Sequence, residues 1–260
     1  MTKTAWVVAV VLVLGAKSAW ACSCSPASRE GFFLGGAQPR HLPADAKGVV
    51  FIALRTEKPV VTDFRVEDVT AKTEVKFAVR VLSIDDGSGW QLVRLEPVGG
   101  LVPKHAYVFA TRKAEPSTAS IEVDAQRVGA PDAAQVTLAA KPSAVRPLSV
   151  ARGGSCSGKV EANVQELRFS LPPALEPYRE SGLYFTRTAA PESWRPYRAS
   201  LCQHPEWGRS GGPTGEDLFF VSCDSHSTLA WEAQGTWAFP ELEDALHQTA
   251  TVQGTLAACG

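Results

Sequence analysis

The chain has 260 residues, 26 basic and 27 acidic side chains, and a formal net charge of −1 with histidine neutral. Neither sign dominates and no run of like charges occurs, which removes the electrostatic case for nucleic acid or an acidic membrane surface as partner. The cysteine count is six, so the redox compartment decides how the chain is read.

The N-terminus addresses that question first. Lys3 supplies a positive start, Ala5 to Ala16 is an apolar run of 12 residues, and Ala19-Trp20-Ala21 offers a small-x-small cleavage site. This pattern predicts a secretory signal peptide over residues 1–21, too short in its apolar part to span a bilayer. Removing it takes away Lys3 and Lys17 and leaves 239 residues with 24 basic and 27 acidic side chains, room for two domains. Cys22 then heads the mature chain. Lipoprotein signals carry an aliphatic residue at −3 and a small one at −2, where this chain has Ala19 and Trp20. Only Ala21 and Cys22 fit, and a lipid anchor at Cys22 is the weaker reading. The expectation is an exported, bacterial-type protein, secreted or held in the periplasm or cell envelope, with no transmembrane segment in its mature part.

Cys22, Cys24, Cys156, Cys202, Cys223 and Cys259 all fall in the exported part. In an oxidising compartment they allow up to three disulfides and 15 connectivities. Cys22 and Cys24 are too close to favour pairing with each other. Within the C-terminal half the preferred pairing is Cys202 with Cys223 and Cys156 with Cys259.

Residues 22–42 mix Gly, Pro and Ser with one apolar cluster, Phe32-Phe33-Leu34, and read as an irregular lead-in whose aromatic pair tucks against the first domain. From about residue 46 short strand-like runs follow. Val49–Leu54 is fully apolar, and Phe64-Arg65-Val66 starts a second strand. Val75, Phe77, Val79 and Val81 alternate against Lys76, Ala78 and Arg80, the period of a half-buried strand. The run 85–89 (DDGSG) is a hairpin connection, and strands at 90–96, 107–111 and 121–123 follow. Strands recurring without helical periodicity predict an antiparallel sandwich.

Leu101, Pro103, Tyr107 and Phe109 have the spacing L-x-P-x-x-x-Y-x-F. This segment, and with it about residues 43–127, resembles fibronectin type III and bacterial immunoglobulin-like domains. The resemblance implies a tyrosine corner, in which the Tyr107 hydroxyl bonds back to upstream backbone. The family's usual Gly-Thr between Pro and Tyr is Lys104-His105 here.

Residues 128–148, rich in Ala and Pro, contain the connection to a second β-rich, cysteine-containing domain over 128–260, and Val136 and Leu138 could form a strand. Strands are expected at 148–151, 164–171, 183–188, 218–223 and 249–256. Residues 240–247 form the sole helical candidate, with Pro240 at a suitable first position and Glu241, Glu243 and Asp244 in the first turns. The fold class is therefore all-β, two tandem antiparallel β-sandwich domains, the second disulfide-stabilised.

Three constellations invite chemistry. Residues 208–213 (GRSGGP) resemble the G-D-S-G-G-P signature of chymotrypsin-like proteases, with Ser210 as nucleophile. The acidic residue before Ser is Arg209 here, no A-A-H-C segment supplies a base, and a solvated loop is the simpler reading. Cys202, His204, Cys223 and His226 make a Cys2His2 set, but the spacing departs from common zinc sites and export favours disulfides. Residues 22–26 (CSCSP) resemble the start of tissue inhibitors of metalloproteinases, which implies that a freed Cys22 amine and carbonyl chelate a target's zinc. That family carries its partner cysteines nearby, and this chain has none between Cys24 and Cys156. Asp85, Asp86 and Ser88 lack the ligand density of a calcium loop. Trp90, Trp194, Trp231 and Trp237 read as core, and Trp207, in a polar loop, as a possible binding surface.

No nucleophile–base or acid pair has supporting context, so no catalytic residue, metal or cofactor is assigned. The expected role is non-catalytic: adhesion, cell-envelope association or binding of another protein. Metalloprotease inhibition through Cys22 and serine hydrolysis through Ser210 are the alternatives.

Overall fold

Alternation of apolar and polar residues sets most of the strands. The computed structural model describes residues 30–34, 38–84, 90–152, 155–188 and 215–259. Its N-terminal half carries β1 (Gly31–Phe32), β2 (Arg40–Leu42), β3 (Val49–Leu54), β4 (Phe64–Asp68), β5 (Thr73–Glu74), β6 (Phe77–Val81), β7 (Trp90–Pro97), β8 (Ala106–Thr111) and β9 (Thr118–Val123). These form two sheets, ordered β1-β3-β7-β6 and β2-β9-β8-β4-β5, antiparallel except for the parallel β2–β9 pair. The C-terminal half adds β10 (Thr137–Ala140), β11 (Ala144–Arg152), β12 (Ser155–Ser170), β13 (Leu183–Thr188), β14 (Glu216–Ser222), β15 (Thr228–Ala238) and β16 (His247–Ala257). Here the sheets are β10-β12-β11, with β14 along the other side of β12, and β13-β15-β16. The chain is all-β, two antiparallel sandwiches in tandem.

Aromatic rings join the facing sheets. In the first sandwich Phe51 of β3 meets Phe64 of β4 edge-on at 5.1 Å between centroids, and Phe32 of β1 lies 6.4 Å from Phe109 of β8. In the second, Phe169 of β12 lies 4.9 Å from Tyr184 of β13, and Phe219 of β14 stacks on Trp231 of β15 at 5.0 Å. Edge-on and offset rings of this kind add roughly 0.5–1.5 kcal/mol per pair beyond their burial.

The lead-in is more regular than expected. Phe32 belongs to β1, paired with β3, and β2 runs parallel to β9, so residues 31–42 supply two sheet strands. Phe32, Phe33 and Leu34 are all buried. The strand β15 escaped the sequence reading although its pattern is clear: Leu229, Trp231 and Ala233 are buried, Ala230, Glu232 and Gln234 exposed. At its bulge, a Cβ on Gly235 would lie 2.8 Å from the Phe169 ring, so glycine is required by close approach.

Residues 240–247 do not form a helix. Leu242 and Glu243 both donate to the Phe239 carbonyl, at 2.8 and 2.9 Å, and the chain turns there. The carbonyls that a helix would use internally are taken by Arg94. This residue of β7 is fully buried, on the face of its sheet turned away from the first sandwich core. Its guanidinium donates to the Pro240 carbonyl at 2.8 Å, the Glu243 carbonyl at 3.3 Å, Glu96 at 2.6 Å and Asp244 at 2.7 Å. Arg80 also pairs with Asp244. Of the three acids that resemble a helix start, Asp244 thus pairs with two arginines from the other sandwich, while Glu243 faces His247. Tyr178 makes a second tie, donating to Asp124 at 2.7 Å.

The disulfide differs from the expected pairing. Cys223, just after β14, bonds to Cys259, just after β16, with Cα atoms 4.7 Å apart. This excludes both Cys202–Cys223 and Cys156–Cys259. The register explains it: Thr228 pairs with Ala257, and the Cys223 N–H donates to the Glu161 carbonyl of β12, so both cysteines reach one end of the sandwich. No helix among the described residues is long and apolar enough to cross a membrane.

Replacing Arg94 with Ala takes the buried partner from Glu96 and two carbonyls, leaves Asp244 to Arg80 alone, and should lower unfolding free energy by about 3–5 kcal/mol in urea titration. Opening the disulfide, which closes a span of 36 residues, should cost about 4 kcal/mol in the chain-entropy picture. Comparing Cys223→Ser/Cys259→Ser with the oxidised chain measures this.

Candidate functional site

The connections at one end of the first sandwich enclose a cavity. Between β3 and β4 the chain runs through residues 55–60 and a 3-10 turn, Val61–Asp63; between β8 and β9 it runs through 112–117. The two are locked together. Asp63 accepts from the Val60 N–H at 2.8 Å, and its carbonyl takes the Arg112 N–H at 2.7 Å. Arg112 Nε donates to the Phe64 carbonyl at 2.9 Å and its Nη2 to Glu74 at 2.8 Å. Gln91 braces the first connection by donating to the carbonyls of Leu54 at 3.1 Å and Glu57 at 2.7 Å.

The cavity, about 230 Å³, has Phe51 and Phe64 at its base, Glu30, Glu57 and Asp63 as acids, and Lys58, Arg112 and Lys113 as bases. Lys113 pairs with Glu30. That hydrogen bond, reinforced by the charges of Glu57 and Asp63, outweighs burial and holds the Lys113 ammonium above its ordinary value. Beside the opening Leu54 is 40%, Val60 52% and Val61 48% exposed. The sequence singles out none of these residues as part of a site.

At the opposite end sits the tyrosine motif. Leu101 and Tyr107 are buried, Pro103 is exposed, and the Tyr107 hydroxyl accepts from the Val102 N–H at 3.0 Å. Lys104 has φ of +65°, the left-handed conformation that a glycine takes without cost. His105 Nδ1 lies 2.7 Å from Asp68, which also accepts the Ala71 N–H at 2.8 Å. Burial pushes the Asp68 carboxyl up, but Ala71, His105 and Tyr107 together hold it below the ordinary carboxylate range. Tyr107 is raised, by burial first and by the Asp68 charge.

Other histidines also meet carboxylates: His41 faces Asp124 at 3.1 Å, and His247 faces Glu243 at 3.0 Å while stacking on Trp237. Trp231 and Trp237 are buried and Trp90 is half-buried. Cys223 is committed to Cys259, so its sulfur does not join Cys202, His204 and His226 as a thiolate. Cys156 lies in β12, and its side chain is outside the described residues, as are Cys22, Cys24, Asp85, Asp86, Ser88, Trp194, Cys202, His204, Trp207 and Ser210.

No protein-family model and no curated protein matches the chain. Among solved structures it is similar to the crystal structure of pullulanase type I from Bacillus subtilis str. 168 complexed with maltose, at 12% identity and a TM-score of 0.24. The match covers 85% of this chain, which spans 25% of that one. A likeness this distant bears on neither activity nor ligand.

Because the folded Asp68 carboxyl titrates below its unfolded value of about 3.9, the unfolded chain binds more protons between the two values. The stability that Asp68 contributes is present above about pH 4 and is lost as pH falls through the folded value. Urea midpoints from pH 7 down to pH 2 should therefore fall less steeply on the acid side for Asp68→Asn than for the parent chain.

Proposed function

We propose that this protein is an exported, non-catalytic binding module that engages another protein or a cell-surface component through the 55–63 and 112–117 connections of an immunoglobulin- or fibronectin-like domain. Support for the domain type comes from strand order. Immunoglobulin folds set strands A-B-E-D against C-F-G. In chain order β1, β3, β6 and β7 take the positions of A, B, D and E, while β4, β8 and β9 take those of C, F and G. Tyr107 then lies near the start of the F strand and accepts from upstream backbone. Support for export comes from the leader-like residues 1–21 and from the Cys223–Cys259 bond, since such bonds persist in oxidising compartments.

The observation that carries the binding reading is the cavity itself. In variable-type sandwiches the B–C and F–G connections lie at one end and form the recognition surface. Here the equivalent connections enclose the cavity and present Val60 beside Lys58 and Glu57.

A photo-crosslinking residue at Val60 tests this in native cells, with the same residue at Val145, exposed on β11, as control. A discrete adduct at position 60, absent at 145 and reduced at least about tenfold by Lys58→Glu, is expected; a tenfold change corresponds to about 1.4 kcal/mol. Equal adducts at both positions, or none at 60, would count against it. Labelling of Ser210 in the folded chain by a fluorophosphonate would overturn the non-catalytic half.

A further inference from the structure

The outermost strand of the first sheet, β6, is paired on one side alone among the described residues. Across the β6–β7 ladder Val98 N–H donates to the Lys76 carbonyl at 2.8 Å, and Leu82 N–H to the Leu92 carbonyl at 2.9 Å. Those two contacts fix the phase of the ladder. Residues 78 and 80, in register with 96 and 94, are its bonded pairs. The N–H and C=O groups of Phe77, Val79 and Val81 consequently point away from β7, along the open edge.

Natural sheets blunt such edges with outward lysine, proline or a bulge. This edge carries Phe77, Val79 and Val81. Val81 is 58% exposed. At the Phe77 end of the edge lies an open groove of about 900 Å³, apolar through Val61, Phe64, Val75 and Val98 and bordered by Glu74, Lys76 and Arg112. Val98 is 70% exposed.

We propose that this edge is the contact of a twofold homodimer, β6 pairing antiparallel with β6 of a second copy, Val79 opposite Val79 and Phe77 opposite Val81. Three features favour a second copy over a foreign strand. First, the residues with free backbone groups, 77, 79 and 81, map onto one another in this register, as a twofold contact requires. Second, no like charges fall directly opposite each other: Arg80 faces Ala78 and Lys76 faces Leu82, while Arg80, diagonal to Arg80 of the other copy, is already paired with Asp244. Third, the exposed Val81 of each copy seats beside Phe77 of the other, on the face that opens into the groove. The two first sheets become one continuous sheet, β1-β3-β7-β6 extended by its mirror order. An edge of five residues makes a small interface, so the dimer is reversible and concentration-dependent.

Sedimentation velocity on the full chain recovered from a secreting host, across the micromolar range, tests the proposal together with amide exchange. The parent chain should dimerise with rising concentration, and the amides of Phe77, Val79 and Val81 should exchange at least about tenfold more slowly in the dimer. Val81→Lys should weaken dimerisation at least about tenfold, placing a charge on an already exposed site. Val79→Pro should do the same, because the N–H it removes points outward, where edge strands tolerate proline. Val145→Lys, on the exposed surface of β11, should change nothing. A chain monomeric at every concentration, or a dimer indifferent to Val81→Lys, would overturn the homodimer. So would a monomer whose edge amides are protected instead by a foreign extended peptide.

Discussion

The arrangement of the whole molecule depends on one guanidinium removed from water. Arg94 sits in a central strand where an apolar residue would be ordinary, yet it is fully buried and its guanidinium donates five hydrogen bonds. A charge so placed is tolerable only with its partners in position, and those partners belong mostly to the turn after β15. The first sandwich therefore cannot present its outer face as intended unless the second has already shaped residues 240–244. This couples the two halves more tightly than the usual tandem arrangement, in which domains meet through a modest polar contact. Most buried residues of both halves indeed form one continuous cluster, with Leu148, Ala162, Val164 and Leu218 in a small separate one. It also accounts for the fully apolar Val49–Leu54, a strand covered on both faces.

The corner around Tyr107 shows a local rule kept by unusual means. Where the resembled families place Gly-Thr, this chain has Lys104 in a left-handed conformation and His105 reaching to Asp68. The backbone strain of a side chain at that φ, roughly 1–3 kcal/mol, is offset by a buried carboxylate that ties β4 to β8. The corner is anchored here by a side-chain contact between His105 and the buried Asp68 carboxylate.

Strands were legible in the sequence where a run is fully apolar or alternates cleanly, β15 excepted. The Val75–Val81 alternation survives as Val75, Phe77 and Val79 against the core, and β3 and β13 run over the residues expected, Val49–Leu54 and Leu183–Thr188. Readings failed where long-range partners override local pattern. Pro240 with three following acids is a good helix start in isolation, and Arg94, 146 residues away, reassigns those groups. Overlooking β15 hid the disulfide as well, because the β15–β16 register is what brings Cys259 to Cys223. The candidate site was least legible. Val60 and Val61 carry no periodic signal, and their exposure follows from Asp63, Gln91 and Arg112 holding two distant connections together. Spacing within a sequence does not record that.

The position of the sulfur bridge has a mechanical consequence. Tension applied to the polypeptide beyond Cys259 does not peel β16 from β15 one residue at a time, since the covalent link carries it to Cys223 and so to the end of β14. The load therefore enters both layers of the sandwich at once.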